Sequence, residues 1–181
     1  MIYLVVGISG VGKTTVLNKA REKLPNVKVV NWGTLMLEIA KEDYGVESRD
    51  KLKFLTPEET RELQKKVIQK VKDMGDVIVD THLGIESPRG FIQGIPSWVA
   101  RELKPDRLIV VEAPPEEIAR RRAKDKGKRE RMEESVESIR MHLDFDRAIA
   151  ASIGYELGIP VKIVVNIDLD KAVEDFLKAF D

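Results

Sequence analysis

The residues most suited to chemistry lie in one run near the start of the chain. They read Gly7-Ile8-Ser9-Gly10-Val11-Gly12-Lys13-Thr14, followed by Thr15, and match the pattern G-x-x-x-x-G-K-[ST]. Glycines let successive backbone N–H groups point at phosphate oxygens, and a helix that starts at the loop adds its positive dipole end. We therefore predict that Gly7–Thr15 bind nucleotide phosphates, with Lys13 on the β and γ phosphates and the Thr14 hydroxyl on Mg²⁺.

A second candidate is the acidic end of an apolar run, Val77-Ile78-Val79-Asp80. A carboxylate at the carboxyl end of a buried strand is well placed to hold Mg²⁺ through water. The alternative is a solvated strand-end carboxylate or a helix cap. His82, two residues on, either contacts substrate or is satisfied by a neighbouring carboxylate.

Arginines gather in the second half of the chain. The candidates for catalysis are Arg120, Arg129 and Arg131, with Arg121 and Arg122 between them. Phosphoryl transfer between two anions needs cations on both, because charge spreads over the transferring oxygens. The hydrophilic, basic segment 123–132 therefore suits a short lid that closes on phosphates. The alternative is an exposed helix–loop surface with Glu–Arg pairs.

Composition excludes several classes of protein. The chain has 181 residues, 31 basic and 31 acidic, so it lacks the basic excess typical of a nucleic-acid binder. It has no cysteine, which excludes disulfides and thiolate-held zinc and fits a reducing cytoplasm. No apolar stretch approaches a membrane span. The guanine-reading pattern Asn-Lys-x-Asp and the switch pattern Asp-x-x-Gly do not occur.

The elements that position these residues alternate between strand and helix. The predicted strands are Ile2–Val6, Val27–Val30, Val77–Val79, Leu108–Val111 and Val161–Val165, all predominantly apolar and rich in β-branched residues, as in a parallel sheet covered on both faces. The predicted helices begin at Lys13, Thr56, Pro115, Glu133 and Leu169 and end near Leu24, Met74, Arg122, Leu157 and Phe180. This order predicts one α/β domain, a three-layer α/β/α P-loop kinase fold with a five-stranded parallel sheet. The segments 31–55 and 120–131 interrupt it and look too polar for the core.

The whole chain resembles the archaeal type of adenylate kinase. The matching segments are Gly7–Thr15, Asn31–Met36, Arg49-Asp50, Val77–His82, Ser87–Phe91 with Gly94–Pro96, Arg120–Arg122 with Asp125, Arg129 and Arg131, and Asn166. The resemblance implies reversible Mg²⁺-dependent transfer, ATP + AMP to two ADP. It also implies a homo-oligomer, a trimer in the family.

The resemblance assigns the acceptor side to two segments. It implies that 31–55 form a monophosphate-binding arm containing Thr34, and that 81–96, with His82, border the AMP site. Gln93 departs from the family, in which an apolar residue or proline is typical there; its amide either binds an adenine edge or caps a turn. Bacterial relatives carry an arginine early in the arm, where this chain reads Leu35-Met36-Leu37-Glu38. Another cation must then hold the AMP phosphate, and the candidates are Arg49, Lys51, Lys53 and Arg61. The alternative is that these side chains form exposed salt bridges on a helical arm.

The same sequence features are compatible with two other functions. One is a P-loop kinase with a different acceptor, such as cytidylate or a small metabolite like shikimate. The other is an adenylate-kinase-like ATP-dependent ribosome assembly factor, against which the neutral net charge argues.

Overall fold

Five parallel strands form the central sheet. The computed structural model describes residues 1–124 and 135–181. The strands are β1 Ile2–Val6, β2 Lys28–Asn31, β3 Val77–Thr81, β4 Gly84–Ser87, β5 Gly90–Gln93, β6 Arg107–Glu112 and β7 Val161–Val165, of which β4 and β5 make a separate antiparallel hairpin. In the central sheet the strands lie in the order β2-β3-β1-β6-β7. All five predicted strands are present: β2 is shifted by one residue, β3 extends two residues beyond its predicted end, and β6 extends one residue at each end.

Helices cover both faces of this sheet. They are α1 Lys13–Arg21, α2 Trp32–Tyr44, α3 Pro57–Lys72, α4 Ser97–Leu103, α5 Pro115–Lys124, α6 Val136–Leu157 and α7 Leu169–Leu177, with 3₁₀ helices at Arg49–Phe54 and Lys178–Phe180. Side chains alternate across each strand, so Leu4 and Val6 enter one core while Tyr3 and Val5 enter the other. The first core packs against α2, α3 and α4, and the second against α1, α5 and α7. The predicted three-layer α/β/α fold is confirmed.

The prediction that 31–55 are too polar for the core is wrong. Trp32, Leu35 and Ala40 are buried on one side of α2, where the helix packs over the sheet and against α3. Polar residues fill the other face of α2, so the average over the segment hides an amphipathic helix. The roles of 31–55 as an arm and of 123–132 as a lid stay predictions, and residues 125–132 lie outside the described residues.

The hairpin β4–β5 and the helix α4 are further elements that the apolar runs did not predict. Each strand of the hairpin has four residues, and α4 has seven. Elements this short do not produce a clear periodic pattern. Within the described residues, no helix combines the length and hydropathy that crossing a membrane requires.

The start of α3 has the predicted capping box. The Thr56 hydroxyl accepts the Glu59 N–H at 3.1 Å, and the Glu59 carboxylate accepts the Thr56 N–H at 3.0 Å. We expect Thr56→Ala to lower the free energy of unfolding by about 1 kcal/mol, because a buried face of α3 depends on this helix start. Urea unfolding measures the loss. Thr56→Ser keeps the hydroxyl and should stay close to the parent; an equal loss in both variants would contradict this role.

Candidate active site

Three adjacent strand ends bring the predicted site together. β3 lies between β1 and β2, and Asp80 is aligned with Val5 on one side and with Asn31 on the other. The glycine-rich loop follows β1, and α2 follows β2 directly. Ligands bind at this carboxyl edge in open α/β sheets. The chain order thus places a phosphate loop and the start of α2 on either side of Asp80.

The glycine-rich loop has the backbone that its glycines allow. Gly10 and Gly12 have φ values of 94° and 80°, and Gly12 caps the N-terminus of α1. Gly7 is packed tightly, since a Cβ there would lie 2.8 Å from the Val111 carbonyl oxygen. Positive φ is costly for residues other than glycine, which explains Gly10 and Gly12, and the lack of space for a side chain explains Gly7. The loop can therefore present consecutive N–H groups beside a helix N-terminus, as phosphate binding requires.

Three side chains hold the carbonyl groups of this loop from outside. Arg122 Nε donates to the Ser9 oxygen at 2.8 Å, and Arg121 Nη1 donates to the oxygens of Gly10 and Val11 at 3.4 and 3.2 Å. Asn166 Nδ2 also donates to the Val11 oxygen, at 2.9 Å. A peptide whose carbonyl is turned outward turns its own N–H group to the opposite side. These contacts therefore help to aim the loop's N–H groups inward.

Lys13 is tied to the end of β3. Its ammonium lies 2.5 Å from the Asp80 carboxylate and donates to the Thr81 carbonyl oxygen at 2.7 Å. The side chain is only 8% exposed. Burial lowers the pKa of Lys13, while the Asp80 carboxylate opposes that change. The pair is a preorganised charge centre at the edge between the loop and β2.

The residues around Asp80 fit a magnesium ion carried by a nucleotide. Asp80 Oδ1 is buried without a hydrogen bond, although it faces the Lys13 ammonium, and Thr14 is exposed in the first turn of α1. Within residues 1–124 and 135–181, no three His, Cys, Asp or Glu side chains form a metal-binding group. Mg²⁺ commonly takes one or two protein ligands together with phosphates and water. One carboxylate and one hydroxyl match that requirement.

A cluster of polar groups lies at the end of β2. Asn31 Oδ1 caps α2 by accepting the Thr34 N–H at 3.0 Å, and its Nδ2 donates to Asp80 at 3.3 Å. Arg49 Nη2 donates to Asn31 Oδ1 at 2.8 Å and to the Thr34 hydroxyl at 2.6 Å. Its guanidinium crosses Gly33, where a Cβ would lie 3.1 Å from Cζ. Thr34 and Arg49, both predicted to bind substrate, are thus brought together beside Asp80.

Comparisons with known proteins agree with this geometry. A family model described as an AAA domain matches residues 6–140. A curated relative from Methanocaldococcus jannaschii, named adenylate kinase, is 44% identical over 98% of this chain and 96% of its own length. The chain belongs to the adenylate kinase family. A relative of the same name from Thermoplasma acidophilum is also 44% identical, over 98% of this chain and 97% of its own length.

This adenylate kinase family member is also similar in fold to solved structures of other kinases. A shikimate kinase from Bacteroides thetaiotaomicron has a TM-score of 0.57 at 15% identity, covering 99% of this chain and 98% of that one. A sugar kinase from Janibacter has a TM-score of 0.56 at 16% identity, covering 99% and 94%. At this identity the likeness concerns the fold alone.

Of the four cations suggested for the acceptor phosphate, only Arg49 contacts Asn31 and Thr34. Lys51 pairs with Glu47 at 3.1 Å, and the Lys53 ammonium lies 5.3 Å from the centre of the Phe54 ring. Arg61 stacks on Trp98 at 4.3 Å, in a cavity of about 230 Å³ between α3 and α4.

The two remaining acceptor-side predictions lie in different surroundings. His82 is exposed over much of its surface, but its Nδ1 lies 3.3 Å from the Gly7 carbonyl oxygen, beside the phosphate loop. Burial and the charge of Lys13 lower the pKa of His82. Gln93 is exposed at the end of β5 and lines a groove with Phe145 and Ser152 of α6. The structure thus brings His82 to the loop but does not bring Gln93 to Arg49 and Thr34.

The three predicted catalytic arginines have different outcomes. Arg120 is exposed and pairs with Glu117, whose pKa falls to about 2 because it accepts hydrogen bonds from Arg120 and, secondly, from Arg121. Arg121 also donates to Glu117, at 2.9 Å, and both Arg121 and Arg122 contact the phosphate loop. Arg129 and Arg131 lie outside the described residues. A catalytic role for all three stays a prediction.

One ion pair at this edge was missed from the sequence. Arg147 of α6 forms two hydrogen bonds, of 2.7 and 2.6 Å, with the Glu112 carboxylate at the end of β6. Glu112 is 5% exposed, whereas the Arg147 side chain is 52% exposed. Glu112 could have been selected from the sequence, because it follows an apolar run directly, as Asp80 does. No sequence pattern points to Arg147, since only the fold brings α6 to this strand.

Proposed function

We propose that this protein is an adenylate kinase, which transfers a phosphoryl group reversibly between ATP and AMP to give two ADP with Mg²⁺. The observation that carries the proposal is the position of the Lys13–Asp80 pair. It lies between the phosphate loop after β1 and the Asn31–Thr34–Arg49 cluster after β2. Two anion-binding regions on either side of one charge centre suit two nucleotides that exchange a phosphoryl group.

On the donor side, the loop N–H groups and the start of α1 bind the phosphates of ATP, and Lys13 neutralises charge on the group being transferred. Thr14 and Asp80 would hold Mg²⁺, Asp80 partly through water. Bound there, Mg²⁺ neutralises negative charge on the phosphate oxygens. Because Lys13 already lies in its buried position, little reorganisation is needed when charge develops during transfer.

On the acceptor side, residues 31–55 form the arm that receives AMP. The Arg49 guanidinium binds the AMP phosphate, since its planar fork matches two oxygens at once. The Thr34 hydroxyl, already hydrogen-bonded to Arg49, supplies a second polar contact. The acceptor phosphate is an anion before the reaction begins, so alignment and charge neutralisation matter more than a general base.

A panel of acceptors tests the proposed function. Purified protein with ATP and Mg²⁺ is offered AMP, CMP, UMP, GMP and shikimate in turn, and ADP formation is followed. We expect AMP to be preferred clearly over the others. Preference for another acceptor would reassign the enzyme within the P-loop kinases, and ATP hydrolysis without transfer, together with rRNA binding, would indicate an assembly factor.

Self-association and a cytoplasmic location stay predictions. The family resemblance implies a trimer. Sedimentation velocity on the purified chain measures its mass in solution.

A further inference from the structure

Helix α6 buries two titratable side chains that the proposed chemistry does not use. His142 and Asp146 are 8% and 3% exposed and lie one turn apart. Burying such groups is costly unless they have partners, so a role is expected. Both face the same residue, Gly84, which begins β4.

The two side chains satisfy both backbone polar groups of Gly84. Asp146 Oδ1 accepts the Gly84 N–H at 2.9 Å, and His142 Nε2 lies 2.7 Å from the Gly84 carbonyl oxygen. A carbonyl can only accept, so Nε2 carries the hydrogen and donates. Burial raises the pKa of Asp146. One turn of α6 thus holds one residue of the hairpin by two buried hydrogen bonds.

Packing requires glycine at this position. A Cβ on Gly84 would lie 2.8 Å from Phe145 Cδ1 and 3.0 Å from Asp146 Oδ1, so a larger residue would push the hairpin away from α6. Phe91 of β5 stacks on Phe145 with 4.3 Å between ring centres and lies 5.0 Å from His142. Both strands of the hairpin are therefore fixed against the helix.

The base of the hairpin is joined equally closely to the candidate active site. The Gly94 N–H donates to the Leu83 carbonyl oxygen at 2.6 Å, and a Cβ on Gly94 would lie 2.2 Å from the His82 oxygen. His82 in turn contacts Gly7 of the phosphate loop. The order of strands places this stretch, which follows Asp80, between the loop and the Asn31–Thr34–Arg49 cluster.

We propose that His142 and Asp146 are positioning residues for the acceptor nucleotide: by holding Gly84, they fix the hairpin and the His82-Leu83 stretch that borders the acceptor side. This inference rests on the proposed function. Asp146 acts in this role by accepting a hydrogen bond and not through its charge, although that charge also favours the protonated form of Lys13.

Paired variants separate the hydrogen bonds from other effects. His142→Leu and Asp146→Leu remove one contact each, while His142→Gln keeps a donor and Asp146→Asn keeps the accepting oxygen. We expect the leucine variants to raise the KM for AMP about tenfold, with the KM for ATP nearly unchanged. The Gln and Asn variants should restore most of the parent value. Gly84→Ala should mimic the leucine variants without altering either side chain, and Glu86→Ala, at an exposed position of the same hairpin, should have no effect.

Three results would overturn the proposal. One is an equal fall of kcat in Asp146→Asn and Asp146→Leu, which would assign the effect to charge near Lys13. Another is a loss of activity that only follows the folded fraction, with both KM values unchanged. The third result does not depend on catalysis and concerns hydrogen exchange at the Gly84 amide in the nucleotide-free protein. Exchange should be faster in Asp146→Leu than in the parent but unchanged in Asp146→Asn. Equal exchange rates in the two variants would refute the Asp146–Gly84 hydrogen bond. If the panel identifies another acceptor, the KM for that acceptor replaces the KM for AMP, so failure of the function and failure of this inference remain distinct.

Discussion

Replacing Lys13 by alanine is expected to lower kcat about 10²- to 10³-fold, the usual loss when one preorganised group that stabilises transition-state charge is removed. The Lys13 ammonium is buried beside Asp80 and Thr81, at the sheet edge between the phosphate loop and the Asn31–Thr34–Arg49 cluster. In the proposed function, we expect its charge to act on the transferring phosphoryl group more than on either nucleotide alone. The KM for AMP should therefore change far less than kcat.

Initial rates over a grid of ATP and AMP concentrations measure both constants. The matched control is Lys19→Ala on the same helix, because Lys19 is exposed and pairs only with Asp170 among the described residues. That variant should keep the parent kinetics. A Lys13→Ala enzyme with a large loss of AMP affinity and an intact kcat would contradict the assignment of Lys13 to the transferred group.

The donor half of the candidate site could be predicted from sequence because it is local. The residues Gly7–Thr15 are consecutive, and their glycines, lysine and threonine each have a physical reason to occur at that spacing. Asp80 was also visible, as an acidic residue that ends an apolar run. The parallel order of strands then fixes the edge at which both must lie.

The acceptor half depends on contacts that no local pattern contains. In the sequence, Arg49 is one of four cations that could hold the AMP phosphate. It is distinguished only in the structure, where the 3₁₀ helix Arg49–Phe54 brings its guanidinium against Gly33 and Thr34. Arg61 has a suitable charge, yet the direction of α3 places it on Trp98. His142 and Asp146 read in sequence as ordinary polar positions of a helix. Their partner, Gly84, lies about sixty residues away, in a hairpin too short to predict.

Replacing Arg49 by alanine is expected to raise the KM for AMP about 10- to 100-fold. Hydrogen bonds to charged groups contribute about 1.5–3 kcal/mol, and each 1.4 kcal/mol is a factor of ten. Both contacts of Arg49 with Asn31 and Thr34 use Nη2, and the guanidinium carries two further nitrogens with N–H groups. Arg49→Lys keeps the charge but loses the planar fork, so its KM should fall between those of the parent and the alanine variant.

The other three cations supply the controls for this prediction. Lys51→Ala, Lys53→Ala and Arg61→Ala each remove one positive charge from the same part of the chain, and none of these side chains contacts Asn31 or Thr34. Each should change the KM for AMP less than about twofold, the effect of losing an exposed charge pair. The KM for ATP should stay near the parent value in all four alanine variants. A large increase for Arg61→Ala with no change for Arg49→Ala would place the AMP phosphate against α3 and Trp98, and would refute an acceptor site at the end of β2.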